Sequence, residues 1–145
     1  MATLGTFVAG QVLTAAELNA LGAWTTFTPT WTNLTVGNGT VVGRYSQLND
    51  IVFVNVELTW GSTTSASGNV GFAAPVGTPL RVSSMSATFE DSGTRYYIGS
   101  AMNISSLSRF DLFHTESGNT GIVNATNPFT WATGDDIVIS GAYII

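Results

Sequence analysis

The chain has 145 residues, enough for one domain with a substantial core, and its 44% apolar content excludes an intrinsically disordered protein. Only 9% of the residues are charged, the net charge is −5 and there is no lysine. The chain therefore lacks the clustered cations that bind nucleic acid or an anionic membrane surface. The absence of cysteine excludes disulfides and thiolate metal sites.

The first ten residues, MATLGTFVAG, lack the positive and apolar regions of a signal peptide. No apolar run approaches the roughly 20 residues that a membrane-spanning helix requires. We therefore expect a protein that folds in a cytoplasm and does not insert into a membrane.

One short helix is predicted near the N-terminus. Thr14 is a suitable N-cap, and Glu17 three residues later completes a capping box. Leu13 and Leu18 have the spacing of a hydrophobic staple, and Gly22 is suited to end the helix. Because so short a helix is marginal alone in water, we expect it to dock on its own domain, on a sister subunit or on a partner.

From Trp24 onward the apolar residues recur with the period of two that is typical of strands. The clearest strand is Ile51–Trp60, and a short turn at residues 48–50 links it to a strand over Thr40–Gln47. Two polar segments, Gly61–Asn69 and Thr115–Thr120, are expected to be exposed loop tips. The pattern predicts an all-β fold, an antiparallel β-sandwich or jelly roll of about eight strands. It would cover residues 24–145 and follow an N-terminal segment, residues 1–23, with the short helix.

No group of residues points to catalysis, so the sequence predicts that the protein is not an enzyme and needs no cofactor. His114 is the only histidine, and no Gly-x-Ser-x-Gly motif accompanies it. A single histidine without cysteine also argues against a zinc site. Two acidic pairs, Glu90-Asp91 and Asp135-Asp136, are interpreted as solvated turn residues. A calcium site completed by backbone carbonyls is the open alternative for either pair.

Aromatic side chains are the candidate contact residues, because an exposed ring can stack on a sugar or pack on a protein partner. Trp60 continues the apolar face of its strand, which favours packing in the core or at its rim. Tyr96 is followed directly by Tyr97, so one of the two is expected to face outward. The candidates for glycan or partner contact are Trp31, Trp60, Tyr97 and Trp131. They suggest an alternative function as a carbohydrate-binding module.

A series of motifs runs through the first half of the chain. It begins with AGQVLTAAELNA at residues 9–20 and continues with TPTWT at 28–32 and GNGTVVGRY at 37–45. An apolar strand, a GSTT loop and the pattern Phe72-x-x-Pro75 follow. In these features the chain resembles bacteriophage virion proteins of the kinds called minor tail protein, tail fibre or head decoration protein.

The resemblance implies a structural protein displayed on the virion surface, on the tail or on the head. Residues 1–23 would attach it to other virion proteins, and the β-domain would project outward. The candidate attachment residues are Val12, Leu13, Leu18 and Leu21. The alternative function, recognition of host cell-surface glycans, overlaps with this role if the particle binds host sugars. Many β-domains of this kind are homotrimers. Apolar side chains on the outer face, at Val41, Val42, Ile51 and Phe53, fit burial between subunits, as does the final strand ending in AYII.

Overall fold

The computed structural model describes residues 9–10, 12, 14–80, 82–104, 108–116 and 119–145. Within these ranges the chain forms one helix and ten strands. They are α1 (Ala15–Ala20), β1 (Thr25–Phe27), β2 (Trp31–Thr35), β3 (Thr40–Leu48), β4 (Ile51–Thr59), β5 (Ser65–Ala73), β6 (Ser84–Asp91), β7 (Arg95–Met102), β8 (Arg109–Glu116), β9 (Asn119–Ile122) and β10 (Asp136–Ile144). No helix in this part of the chain is long and apolar enough to cross a membrane.

All ten strands belong to one antiparallel sheet in the order β1-β3-β4-β10-β6-β7-β8-β5-β2, with β9 paired to β8. Its two end strands, β1 and β2, are separated along the chain only by residues 28–30. The sheet must therefore curl until these strands lie near each other, so that one face encloses the core. The predicted all-β antiparallel fold with one short N-terminal helix is confirmed. The strand count is higher than predicted because of two short strands, β1 and β9.

The core lies on the inner face of the curled sheet. Along β4 the alternation predicted from the sequence is observed, because Val52, Val54, Val56 and Leu58 are buried. Val41, predicted on the outer face, instead packs against the core because it is paired with Leu58. Full burial of one valine or leucine side chain contributes about 1.5–3 kcal/mol to the stability of the fold. The largest fully buried side chains also include Phe72, Phe89, Phe110, Leu112, Ile137 and Ile139.

The loop predicted over Gly61–Asn69 is wrong beyond its first residues. Strand β5 begins at Ser65, which pairs with Thr35 of β2. Pairing with β2 thus overrides the glycine- and serine-rich composition of this segment. Residues 60–64 remain as a loop, and it is tied to the loop after β2, since the Thr63 backbone N–H donates to Asn38 Oδ1 at 2.8 Å.

The segment Thr115–Thr120, also predicted as a loop tip, is largely strand. Thr115 pairs with Thr120, and the neighbouring pair is Glu116 with Asn119. Residues 117 and 118, between the two strands, lie outside the described residues. The hairpin of β8 and β9 therefore replaces most of the predicted loop.

The Tyr143 side chain joins β10 to the loop after β5. Its hydroxyl donates to the Val76 carbonyl oxygen at 2.6 Å and accepts the Val76 backbone N–H at 3.1 Å. Burial raises the pKa of Tyr143 to about 12. Because a tyrosine in the unfolded chain has a pKa of about 10, the neutral side chain favours the folded state below pH 10.

We therefore expect the fold to lose stability as the pH rises from about 10 through 12, where the unfolded chain releases this proton first. The urea concentration at the unfolding midpoint should fall across this interval. In Tyr143→Phe the midpoint is lower at pH 8 but falls less steeply between pH 10 and 12. Equal slopes in the two proteins would contradict this assignment.

Candidate interaction surfaces

Helix α1 is specified by its own sequence but is not packed on the β-domain. The Glu17 backbone N–H donates to Thr14 Oγ1 at 3.2 Å, and Glu17 Oε2 accepts the Thr14 backbone N–H at 2.8 Å. The predicted capping box is thus confirmed, and these hydrogen bonds to Thr14 lower the pKa of Glu17. No residue of the helix is buried.

The predicted attachment residues are largely exposed. Val12 is 84% exposed and Leu18 is 57% exposed, whereas Leu21 is half-buried. Leu13 lies outside the described residues. Apolar side chains at Val12 and Leu18 are therefore free to contact another protein, and their role in attachment stays a prediction.

Three of the four predicted contact aromatics lie together in one row of rings. Trp60 stacks on Trp131 with 4.7 Å between ring centroids, and Phe129 lies 4.5 Å from Trp131. Tyr97 continues the row at 5.1 Å from Phe129. The Trp131 indole N–H donates to the Asn124 carbonyl oxygen at 2.9 Å. The row runs from the core toward the surface at Tyr97.

Burial does not fit the contact role expected of Trp60 and Trp131. They are only 5% and 9% exposed, because their rings cover each other inside the curled sheet. Tyr97 is half-buried, and the Arg95 guanidinium group lies 4.2 Å from its ring centroid. Trp31 lies apart from the row and packs on Phe72 at 5.9 Å. Of the four predicted residues, only Trp31 and Tyr97 therefore offer a partly exposed ring to a sugar.

The outer face of β3, β4 and β10 presents large apolar side chains to solvent. One cation lies among them, since the Arg44 guanidinium group is 5.9 Å from the Trp24 ring centroid. Arg44 Nε donates to Asn55 Oδ1 at 3.1 Å, and no carboxylate among the described residues forms an ion pair with Arg44. We call this region the Arg44 surface. Its exposed apolar residues are Trp24, Val42, Leu48, Ile51, Phe53 and Ile144.

A second exposed region lies on the outer face of β6, β7 and β10, and we call it the Tyr96 surface. Tyr96 and Ile98 are 64% and 63% exposed. Glu90 lies directly opposite Tyr96 on one side and opposite Asp136 on the other. A hydrogen bond to Glu90 and the charge of that carboxylate raise the pKa of Tyr96. Two carboxylates facing each other across strands repel, so this surface favours a cationic partner.

The acidic pair at the start of β10 is divided between two environments. Asp135 is 2% exposed, and it accepts the backbone N–H groups of Ser92 at 2.9 Å and Ala132 at 2.6 Å. Both of its carboxylate oxygens are therefore already used to join two loops. Among the described residues, no group of three or more metal-ligating side chains could hold a metal ion.

His114 is placed in a structural environment. The ring is buried, and Nε2 lies 2.8 Å from Asn127 Oδ1. No carboxylate is hydrogen-bonded to the ring among the residues that the structure describes. This arrangement fixes the hairpin of β8 and β9 against the loop that precedes β10.

No family model, no curated protein and no solved structure matches the chain. The two outer surfaces are therefore assigned from geometry alone. The predicted contact residues include Tyr97 but not Trp24, Arg44 or Tyr96. The alternation of Tyr96, Ile98 and Met102 was the available signal, since it places these side chains on one face.

Proposed function

We propose that this protein is a structural component of a bacteriophage virion, displayed on the tail or the head. In this proposal residues 1–23 attach it to other virion proteins, and the β-domain projects outward as part of a homotrimer. It acts by binding and assembly and is not an enzyme. The resemblance of the first half of the chain to virion proteins supports the class of protein.

One structural observation carries the attachment role. Helix α1 has a complete capping box, yet no residue of the helix is buried and Leu18 is exposed. A helix of six residues gains too little from its own hydrogen bonds to be stable in water without tertiary contacts. Selection for a well-capped helix with unburied apolar residues is best explained by a partner that covers them.

Deletion of residues 1–23 is expected to abolish incorporation into phage particles while the β-domain stays folded. The helix contributes no buried side chain, so the thermal unfolding midpoint of the β-domain should be unchanged. The measurement is the amount of tagged protein in purified particles, determined by immunoblot after expression during phage growth.

Two point variants make this test sharper. Leu18→Ser removes an exposed apolar side chain and should reduce incorporation, whereas Asn19→Ser changes an exposed polar neighbour and should not. Incorporation of the truncated protein at the level of the full-length protein would refute the attachment role. Equal incorporation of both point variants would show that Leu18 is not a contact.

A further inference from the structure

We infer that copies of this chain associate head to tail, with the Arg44 surface of one copy packed against the Tyr96 surface of the next. The inference rests on the self-association contained in the proposed function. It specifies which two surfaces are in contact, and it proposes an ion pair between subunits.

The apolar content of both surfaces is the first argument. Trp24, Ile51 and Phe53 on the Arg44 surface are between 41% and 55% exposed, and Tyr96 and Ile98 on the Tyr96 surface are more exposed still. Clusters of exposed aromatic and aliphatic side chains are typical of contact surfaces between proteins. Burial of either surface in a contact between proteins would therefore remove apolar side chains from water, which is favourable.

Charge complementarity selects which surface covers which. The Arg44 surface carries a guanidinium group that forms no ion pair with a carboxylate of the described residues, although Glu57 lies on the same outer face. The Tyr96 surface carries the opposed carboxylates Glu90 and Asp136. A cation placed between these two carboxylates relieves their repulsion, and an Arg–carboxylate contact can be bidentate.

The arrangement of strands keeps the two surfaces apart. Arg44 lies on β3, whereas Glu90 and Tyr96 lie on β6 and β7, on the far side of β4 and β10. At about 4.8 Å per strand the two surfaces are roughly 15–20 Å apart on one curved face. Repeated in one direction, contact between two different surfaces is heterologous, and it closes into a ring such as a trimer where the rotation between copies allows it. A reciprocal two-fold contact, with the Arg44 surface of each copy on the Tyr96 surface of the other, would give a dimer, which light scattering distinguishes from a trimer. A two-fold pairing of the Arg44 surface with itself would instead bring two guanidinium groups together.

Charge exchange tests the pairing directly. The measurement is the molar mass in solution by light scattering, on the full-length protein and on three variants. Arg44→Glu and Glu90→Arg should each reduce the mass from that of the assembly to that of a single chain. The double variant Arg44→Glu/Glu90→Arg should restore the assembly, because the pair is re-formed with its charges exchanged.

A matched control separates a specific pair from a general effect of net charge. The double variant Arg44→Glu/Glu57→Arg has the same net charge, and Glu57 lies on the same outer face, on β4. It should remain monomeric. Circular dichroism of every variant checks that the β-domain is folded, since only folded variants are compared.

Four results would overturn the inference: a dimeric mass of the full-length protein, assembly of either single variant, rescue by Glu57→Arg as well as by Glu90→Arg, or failure of the Glu90→Arg rescue. A monomeric full-length protein that still enters phage particles would overturn the head-to-tail contact and leave attachment standing. A head-to-tail assembly that does not enter particles would support the contact and refute the virion role.

Discussion

Asp135→Ala is expected to lower the free energy of unfolding by about 3 kcal/mol, because its carboxylate accepts two backbone N–H groups and hydrogen bonds to a charged group contribute about 1.5–3 kcal/mol each. These two hydrogen bonds join the turn after β6, at Ser92, to the loop before β10, at Ala132. The substitution removes both. Urea unfolding at pH 7 measures the change.

Asp136 supplies the matched control, since it is the adjacent residue with the same side chain. It is half-buried on the outer face of β10 and lies directly opposite Glu90, so its charge is opposed by a like charge. Because it belongs to the proposed contact between copies, both variants are compared in the Arg44→Glu protein, which is expected to be monomeric. Asp136→Ala should therefore change the free energy of unfolding by less than about 0.5 kcal/mol. Similar losses in the two variants would show that the two carboxylates do not have the different roles assigned here.

Trp131→Ala is expected to lower the free energy of unfolding by about 3–5 kcal/mol, the range for removing a large buried aromatic side chain. The indole ring contacts Trp60, Phe89 and Phe129, and its N–H is hydrogen-bonded to the Asn124 carbonyl. Its removal leaves a cavity at the centre of the aromatic row and an unpaired carbonyl oxygen.

Trp24→Ala is the control for this variant, because it removes the same ring from a position that is 55% exposed in the single chain. Since Trp24 lies on the proposed contact between copies, both variants are measured in the Arg44→Glu protein, which is expected to be monomeric. Its effect on the free energy of unfolding should be less than about 1 kcal/mol. A loss below 1 kcal/mol for Trp131→Ala would contradict the core placement and would return this residue to the candidates for glycan contact.

The sequence predicted those features that depend on local patterns. The alternation Val52, Val54, Val56, Leu58 identifies a half-buried strand whatever its neighbours are, and the spacing of Thr14 and Glu17 specifies a helix start. Both features can therefore be predicted from the sequence without knowledge of the fold.

Features that depend on long-range pairing were not predicted. The strand character of Ser65–Asn69 comes from β2, and the opposition of Glu90 and Asp136 requires the register between β6 and β10. A period of two places Asp135 and Asp136 on opposite faces but does not say which one is inside. Likewise Trp131 does not lie in a regular strand, so no alternation of apolar and polar residues indicated that its side chain is buried.

The central position of β10 has a consequence for biosynthesis. Eight of the other strands lie in two groups, β1-β3-β4 and β6-β7-β8-β5-β2, and only β10 joins them. Because β10 is also the last of these strands to be translated, the facing edges of β4 and β6 stay unpaired until the ribosome has made it. Open strand edges are sites of misassembly between chains, and pairings between residues distant in sequence form slowly. The nascent chain is thus most exposed to aggregation just before β10 is translated, when only this strand is missing between the two half-sheets.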